Sequence, residues 1–212
     1  MKELPFSKVL ALSPHTDDIE FGCGGTIHRL MQQGTEVFTA VFSLCEESVP
    51  KGYPKDILLK EMHEAGTKLN IYKDHITVFQ YPVRRFTENR QEILENLVEL
   101  NRKLEPDLVL TPCRTDIHQD HQVICQESVR AFRSQSILGY ELPWNNFEFS
   151  ARAFIQLSSQ NLEAKLSAVN CYESQRFRQY SNTDLFQFQA QLRGLLNKTT
   201  FSEAFEVIRL TL

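Results

Sequence analysis

Short apolar runs alternate along the chain with longer stretches whose apolar residues recur at helical spacing. Val9-Leu10-Ala11-Leu12 lies between Lys8 and Ser13-Pro14 and predicts a buried strand over 8–13. Ile27, Leu30 and Met31 predict a helix over 24–33, stopped by Gly34. Val37, Phe38, Val41 and Phe42 mark a second strand over 36–44. Ile57, Leu58, Met62, Ala65 and Leu69 fall on one face of a helix over 54–69. A third strand over 76–81 is broken by Pro82, a long helix covers 87–104, and 107–111 is a fourth strand. The remainder is looser, with strands expected at 137–142, 147–157 and 205–212 and helices at 160–175 and 183–198.

Four strands alternating with helices of this length imply βαβ units, an α/β fold and a parallel sheet with right-handed crossovers. No repeat and no Pro-, Gly- or Ser-rich linker divides the chain, so one domain over residues 1–212 is expected. The net charge of −4 comes without any Lys/Arg block, which argues against nucleic acid or an anionic membrane as partner. No window approaches the roughly 20 apolar residues of a membrane span, and the first residues, with Glu3 and Pro5, lack a signal-peptide core. Five cysteines form no CxxC pair; buried reduced thiols and a cytoplasmic location are the reading.

The chemistry gathers after two strands. Ser13-Pro14-His15-Thr16-Asp17-Asp18-Ile19-Glu20 follows the first, and Pro112-Cys113-Arg114-Thr115-Asp116-Ile117-His118-Gln119-Asp120-His121 follows the fourth. Ligands of open parallel sheets sit beyond the carboxyl ends of the strands, so both stretches share one edge. His15 and Asp18, three apart, can face one centre, with Asp17 aimed elsewhere in the same pocket. An imidazole and a carboxylate are ordinary ligands for a divalent metal, and a catalytic zinc takes three protein ligands. Either His118 or His121 is a source for the third. The glycines at 22, 24 and 25 lack dinucleotide spacing and instead let the first helix pack closely on the sheet.

Pro14-His15-Thr16-Asp17-Asp18-Ile19-Glu20 with Gly24-Gly25-Thr26, and Asp116-Ile117-His118-Gln119-Asp120-His121, resemble the two main motifs of the PIG-L/LmbE-like family of zinc-dependent N-deacetylases. Weaker likenesses run through Tyr140-Glu141-Leu142-Pro143-Trp144, Lys165, Ala168, Ser174-Gln175, Gly194 and Glu203-Ala204-Phe205-Glu206. Thr16 and Gln119 stand where that family usually has proline, and neither is a ligand. The resemblance implies a Rossmann-like three-layer fold with a mostly parallel central sheet. It implies one Zn²⁺ per chain on His15, Asp18 and His121, with Asp17 as general base. His118 would face the substrate carbonyl and Asp120 would orient a neighbouring histidine, either His118 or His121. The implied substrate is an N-acetylated amino sugar or its conjugate, and homo-trimers or hexamers are expected.

From the residues themselves, a His₂Asp site also accepts Fe²⁺, Mn²⁺ or Co²⁺. Asp17 can take a proton from water, a protonated His118 can steady an oxyanion, and either can protonate the leaving amine. Arg85, Arg114 and Trp144, near the expected rim, are the candidate sugar contacts. The competing readings are an amidase for another N-acyl group and a non-catalytic metal- or nucleotide-binding module.

Overall fold

The structure, a computed structural model, describes residues 1–211. Seven strands form one sheet in the order β3-β2-β1-β4-β5-β7-β6. Strands β1 (Lys8–Ser13), β2 (Glu36–Val41), β3 (Ile76–Val78), β4 (Leu108–Pro112) and β5 (Ser136–Tyr140) run parallel. Strands β6 (Ala153–Leu157) and β7 (Phe201–Arg209) close the edge antiparallel. The helices are α1 (Asp18–Gln32), α2 (Ile57–Lys68), α3 (Arg90–Leu104), α4 (Gln119–Ala131), α5 (Ser159–Val169) and α6 (Thr183–Leu196).

The central strands are apolar throughout because both faces are covered. Successive side chains of β1 go to opposite layers: Val9 and Ala11 join the core with Phe21, Ile27 and Met62, whereas Leu10 and Leu12 join the core with Ile93, Leu97 and Ile124. The chain leaves β1 toward β2 on one side and leaves β4 toward β5 on the other. A crevice therefore opens beyond the carboxyl ends of β1 and β4, where the two histidine-bearing stretches lie.

Several boundaries differ from the sequence expectation. Helix α1 begins at Asp18 rather than at Gly24, and the glycines lie inside it. A Cβ on Gly22 would run into the Tyr140 ring, and one on Gly25 would come within 2.6 Å of Leu157, so close packing on β5 and β6 demands glycine. The helix breaks at Cys23 (φ −145°), which leaves N–H groups without helical acceptors. Glu203 of β7 takes those of Gly25 and Thr26 at 3.1 and 2.6 Å, and buried Lys165 meets the same carboxylate at 2.6 Å. The expected strand over 147–157 forms only at 153–157, since Phe147 lies exposed in a loop. The helix expected over 160–175 ends at Val169, and β3 stops at Val78.

Candidate active site

The turn between β1 and α1 is tied at both ends. Ser13 Oγ donates to the His15 carbonyl at 2.5 Å, and the Asp18 carboxylate accepts the His15 N–H at 2.7 Å. Asp17 occupies the N-cap position of α1 and Asp18 its first turn, where unpaired helical N–H groups favour negative charge. Across the crevice, His118 caps α4 and accepts the Asp120 N–H on Nδ1 at 3.2 Å.

Three donor atoms converge between these turns. His15 Nδ1 lies 3.1 Å from His121 Nε2, and Asp18 Oδ2 lies 3.3 Å from each. The other nitrogen of each imidazole is engaged: His15 Nε2 with Asp120 Oδ2 at 3.0 Å, His121 Nδ1 with Asp116 Oδ2 at 2.8 Å. Carboxylates only accept, so the ring protons sit on those engaged nitrogens. With both rings neutral, two lone pairs and a carboxylate oxygen face one another, an arrangement suited to a cation. Its edges match the roughly 3.3 Å edge of a tetrahedron with bonds of about 2.0 Å, as zinc makes to nitrogen. His15, Asp18 and His121 therefore fit a divalent metal, with Asp120 and Asp116 fixing ring orientation behind them. A ring nitrogen of His118 comes within 4.8 Å of the other two histidines, a looser set.

The electrostatics follow from the same contacts. Burial opposes the cation on His15, yet the Asp18 charge and the Asp120 hydrogen bond outweigh it and raise the imidazole. Burial likewise opposes charge on His121, but Asp18 and Asp116 lift it to about 10. For Asp18 burial favours the neutral acid; the two imidazoles overcome that and hold it well below the usual carboxylate range. Asp17 has no such partner. Burial, then the Asp18 charge, pushes it up to about 6. His118 goes the other way, lowered to about 4 by burial and by the charges of His15 and His121. Its shift favours the neutral ring at physiological pH, and with Nδ1 accepting, its N–H is on Nε2.

These groups line a cleft of about 370 Å³. Trp144 also lines it, stacked on Tyr180 with centroids 4.4 Å apart and planes 12° from parallel. Arg85 and Arg114 do not. Arg85 pairs with Glu88 on the surface at 3.2 Å, and Arg114 is drawn to Glu206 of β7 at 2.6 Å. Arg84 lines the cleft in place of Arg85; its left-handed backbone (φ +66°) aims its N–H at Asp120 Oδ2, 2.6 Å away. Asp120 faces His15 rather than His118 or His121, because adjacent residues on α4 diverge. Asp116, five residues before His121, holds that ring instead. It was legible as a second carboxylate for a second histidine. Gln175, Arg178 and Tyr180, from the segment between α5 and α6, also line the cleft; Gln175 falls in the Ser174-Gln175 likeness, and no motif marks Arg178 or Tyr180.

A family model described as PIG-L, GlcNAc-PI de-N-acetylase, matches residues 10–132, more than half of the 212. The chain belongs to the PIG-L family. This PIG-L chain is 28% identical over 177 residues to a protein named uncharacterized deacetylase YaiS from Escherichia coli (strain K12), covering 78% of this chain and 90% of YaiS. It is 26% identical over 190 residues to the diacetylchitobiose deacetylase of Thermococcus kodakarensis, covering 79% of this chain and 70% of that one. Among solved structures, the conserved protein TT1542 from Thermus thermophilus shares the PIG-L fold with a TM-score of 0.82 at 22% identity, over 96% of this chain and 95% of that one.

Proposed function

We propose that this PIG-L enzyme, a metal-dependent N-deacetylase by family, uses zinc on His15, Asp18 and His121 to hydrolyse the acetamide of an N-acetylglucosamine-type sugar or its conjugate. One observation carries the reading: two imidazole nitrogens and a carboxylate oxygen 3.1–3.3 Å apart, with the metal-free carboxylate of Asp17 beside them in an open cleft. A bound divalent cation supplies Lewis acidity, polarising the acetyl carbonyl and easing ionisation of water.

The remaining work belongs to the chain. Asp17, raised to about 6, is ionised at neutral pH and still basic enough to accept a proton from the attacking water. As the new C–O bond forms, His118 Nε2–H donates to the carbonyl oxygen that gains charge, a contact of a kind worth about 3–4 kcal/mol. The C–N bond then breaks. Because His118 is held neutral, Asp17 is the group carrying a proton, and it returns that proton to the departing nitrogen. Acetate and a free amine result.

Free-amine release from a panel of N-acetyl sugars and N-acyl amino acids tests this, with protein as isolated, after chelation, and after adding Zn²⁺ back. Release from sugars that vanishes with chelator and returns with zinc is expected. Release from the amino acids alone would move the substrate to another N-acyl class, and restoration by Fe²⁺ but not Zn²⁺ would change the metal.

Two further assignments are ours. The five cysteines are free thiols, which suits a reducing compartment, and we place the enzyme in the cytoplasm. Among the described residues no helix is long and apolar enough to cross a membrane. Phe188, Leu192 and Leu195 lie exposed at i, i+4 and i+7 on α6, a stripe suited to covering by a second copy in a homo-oligomer. Light scattering gives that mass directly.

A further inference from the structure

We propose that the cleft selects amino sugars carrying an anionic substituent, a carboxylate or a phosphate, and that Arg178, aided by Arg84, recognises that group. The proposal rests on the deacetylase reading above and goes beyond it in the class of conjugate.

Arg178 is not a loose surface cation. Its Nε donates to Gln175 Oε1 at 2.7 Å, and Gln175 is itself buried and lines the cleft. The guanidinium lies over the rings of Phe177 and Tyr180, 5.2 and 5.6 Å from their centroids. Tyr180 in turn stacks on Trp144. The group is therefore oriented from several sides before any ligand arrives, which lowers the entropy lost on binding.

What it lacks is a direct ion pair; Asp17 in the same cleft feels its charge without touching it. Among the described residues no carboxylate lies within 4.0 Å of the guanidinium of either Arg178 or Arg84. Other enclosed cations are satisfied within the protein: Arg193 pairs with Glu141 at 2.5 Å, Lys165 with Glu203 at 2.6 Å, and Arg29 donates to the carbonyls of Gln156 and Lys2. The charge count in the cleft points the same way. Its only lining carboxylates are Asp17 and Asp18, and the divalent cation that the donor atoms fit offsets both. Among the described residues, two guanidinium groups then remain without an ion-pair partner. A pre-oriented guanidinium fork matches a carboxylate or phosphate in shape and charge, whereas an uncharged glycoside would leave both cations unmatched.

The test compares zinc-loaded enzyme on three substrates: methyl N-acetylglucosaminide, N-acetylglucosamine 1-phosphate and N-acetylmuramic acid. The two anionic compounds separate phosphate from carboxylate. At least one is expected to exceed the neutral glycoside by about 10-fold to 100-fold in kcat/KM, the range of a charge-assisted hydrogen bond, mostly through KM. Arg178→Gln should collapse that ratio toward one, and Arg178→Lys should restore part of it. Raising ionic strength should shrink the ratio in the wild type only. Equal kcat/KM for all three substrates overturns the proposal and leaves deacetylation standing. A preference that survives Arg178→Gln also overturns it, since the anion is then held by the metal. If no compound releases amine, deacetylation of these sugars fails, and calorimetry with glucosamine 1-phosphate, muramic acid and methyl glucosaminide still decides the anion subsite. Tighter binding of an anionic amine that is lost in Arg178→Gln supports it; equal binding removes it.

Discussion

The proposed metal donors come from two segments, residues 15–18 and 121, on the turn and helix that follow β1 and β4, whereas most other residues that wall the cleft come from loops after β2, β3 and β5 and from the stretch between α5 and α6. Strands β1 and β4 are hydrogen-bonded neighbours, in register from Val9 opposite Leu108 to Ala11 opposite Leu110. The donor atoms inherit their spacing from that register. The wall has no such frame: Arg178 rests on Gln175, Ser181 Oγ donates to the Gln175 carbonyl, and Tyr180 leans on Trp144. Chemistry is mounted on the sheet and recognition on loops. The first tolerates little change in position, and the second can be rebuilt for another sugar conjugate without moving the first.

That division can be broken from either side. The largest effect is expected for His121→Ala, which removes a donor from the centre: zinc content and amine release should both fall to background. Asp17→Asn should keep its zinc and lose about 10²- to 10⁴-fold in kcat; a variant with normal zinc and normal rate would falsify the base assignment. The pH–rate profile supplies the same information without mutation. Asp17 acts only when ionised, so kcat/KM should fall as pH drops through about 6, the value to which burial and Asp18 raise it, or somewhat lower with a cation beside it. Asp116→Asn, behind His121, should weaken zinc binding about 10- to 100-fold while the bound fraction stays active. Competition with a chelating dye measures that. Metal uptake should also release about one proton per chain at pH 7, because His121, near 10 without metal, must give up a proton to bind. Titration calorimetry in buffers of different ionisation heat reads the number, and a value near zero would mean His121 is not a ligand. On the wall the effects should be smaller. Trp144→Ala should raise KM about 5-fold with kcat nearly unchanged, the scale of one lost aromatic contact. A large fall in kcat instead would make Trp144 part of the frame.

The same division explains what the sequence discloses. The strands around the site announce themselves because both faces are buried, so Val9–Leu12 and Leu108–Leu110 are unbroken apolar runs. The parallel-sheet rule brings the stretch from His15 to Asp18 and the stretch from His118 to His121 to one edge, and the choice of His121 over His118 comes from the family resemblance. The start of α1 is harder. Glycines ordinarily interrupt helices, and here they lie within one because Tyr140 and Leu157 leave no room for a Cβ at Gly22 and Gly25. Phe147 and Phe149 imitate a strand, yet Phe147 is exposed and Phe149 lies under the guanidinium of Arg193. Arg85 and Arg114 were plausible by position alone; their surface and β7 carboxylate partners are local or long-range pairings that no spacing rule reveals. Arg178 is the converse case. Its place in the cleft depends on how the stretch after α5 folds back, and nothing local records that.

The break in α1 gives the last strand a part in the first motif. Glu203 closes the open N–H groups of Gly25 and Thr26 across 178 and 177 residues of sequence. The part of α1 beyond the break is thus fastened by a carboxylate that the pairing of β7 with β6 and the contact with Lys165 hold in place. During synthesis the proposed donors emerge well before β7, so the helix that carries Asp18 is fastened beyond its break by an element made later. A nascent chain that has not yet made β7 carries all the proposed donors while the N–H groups of Gly25 and Thr26 are still open.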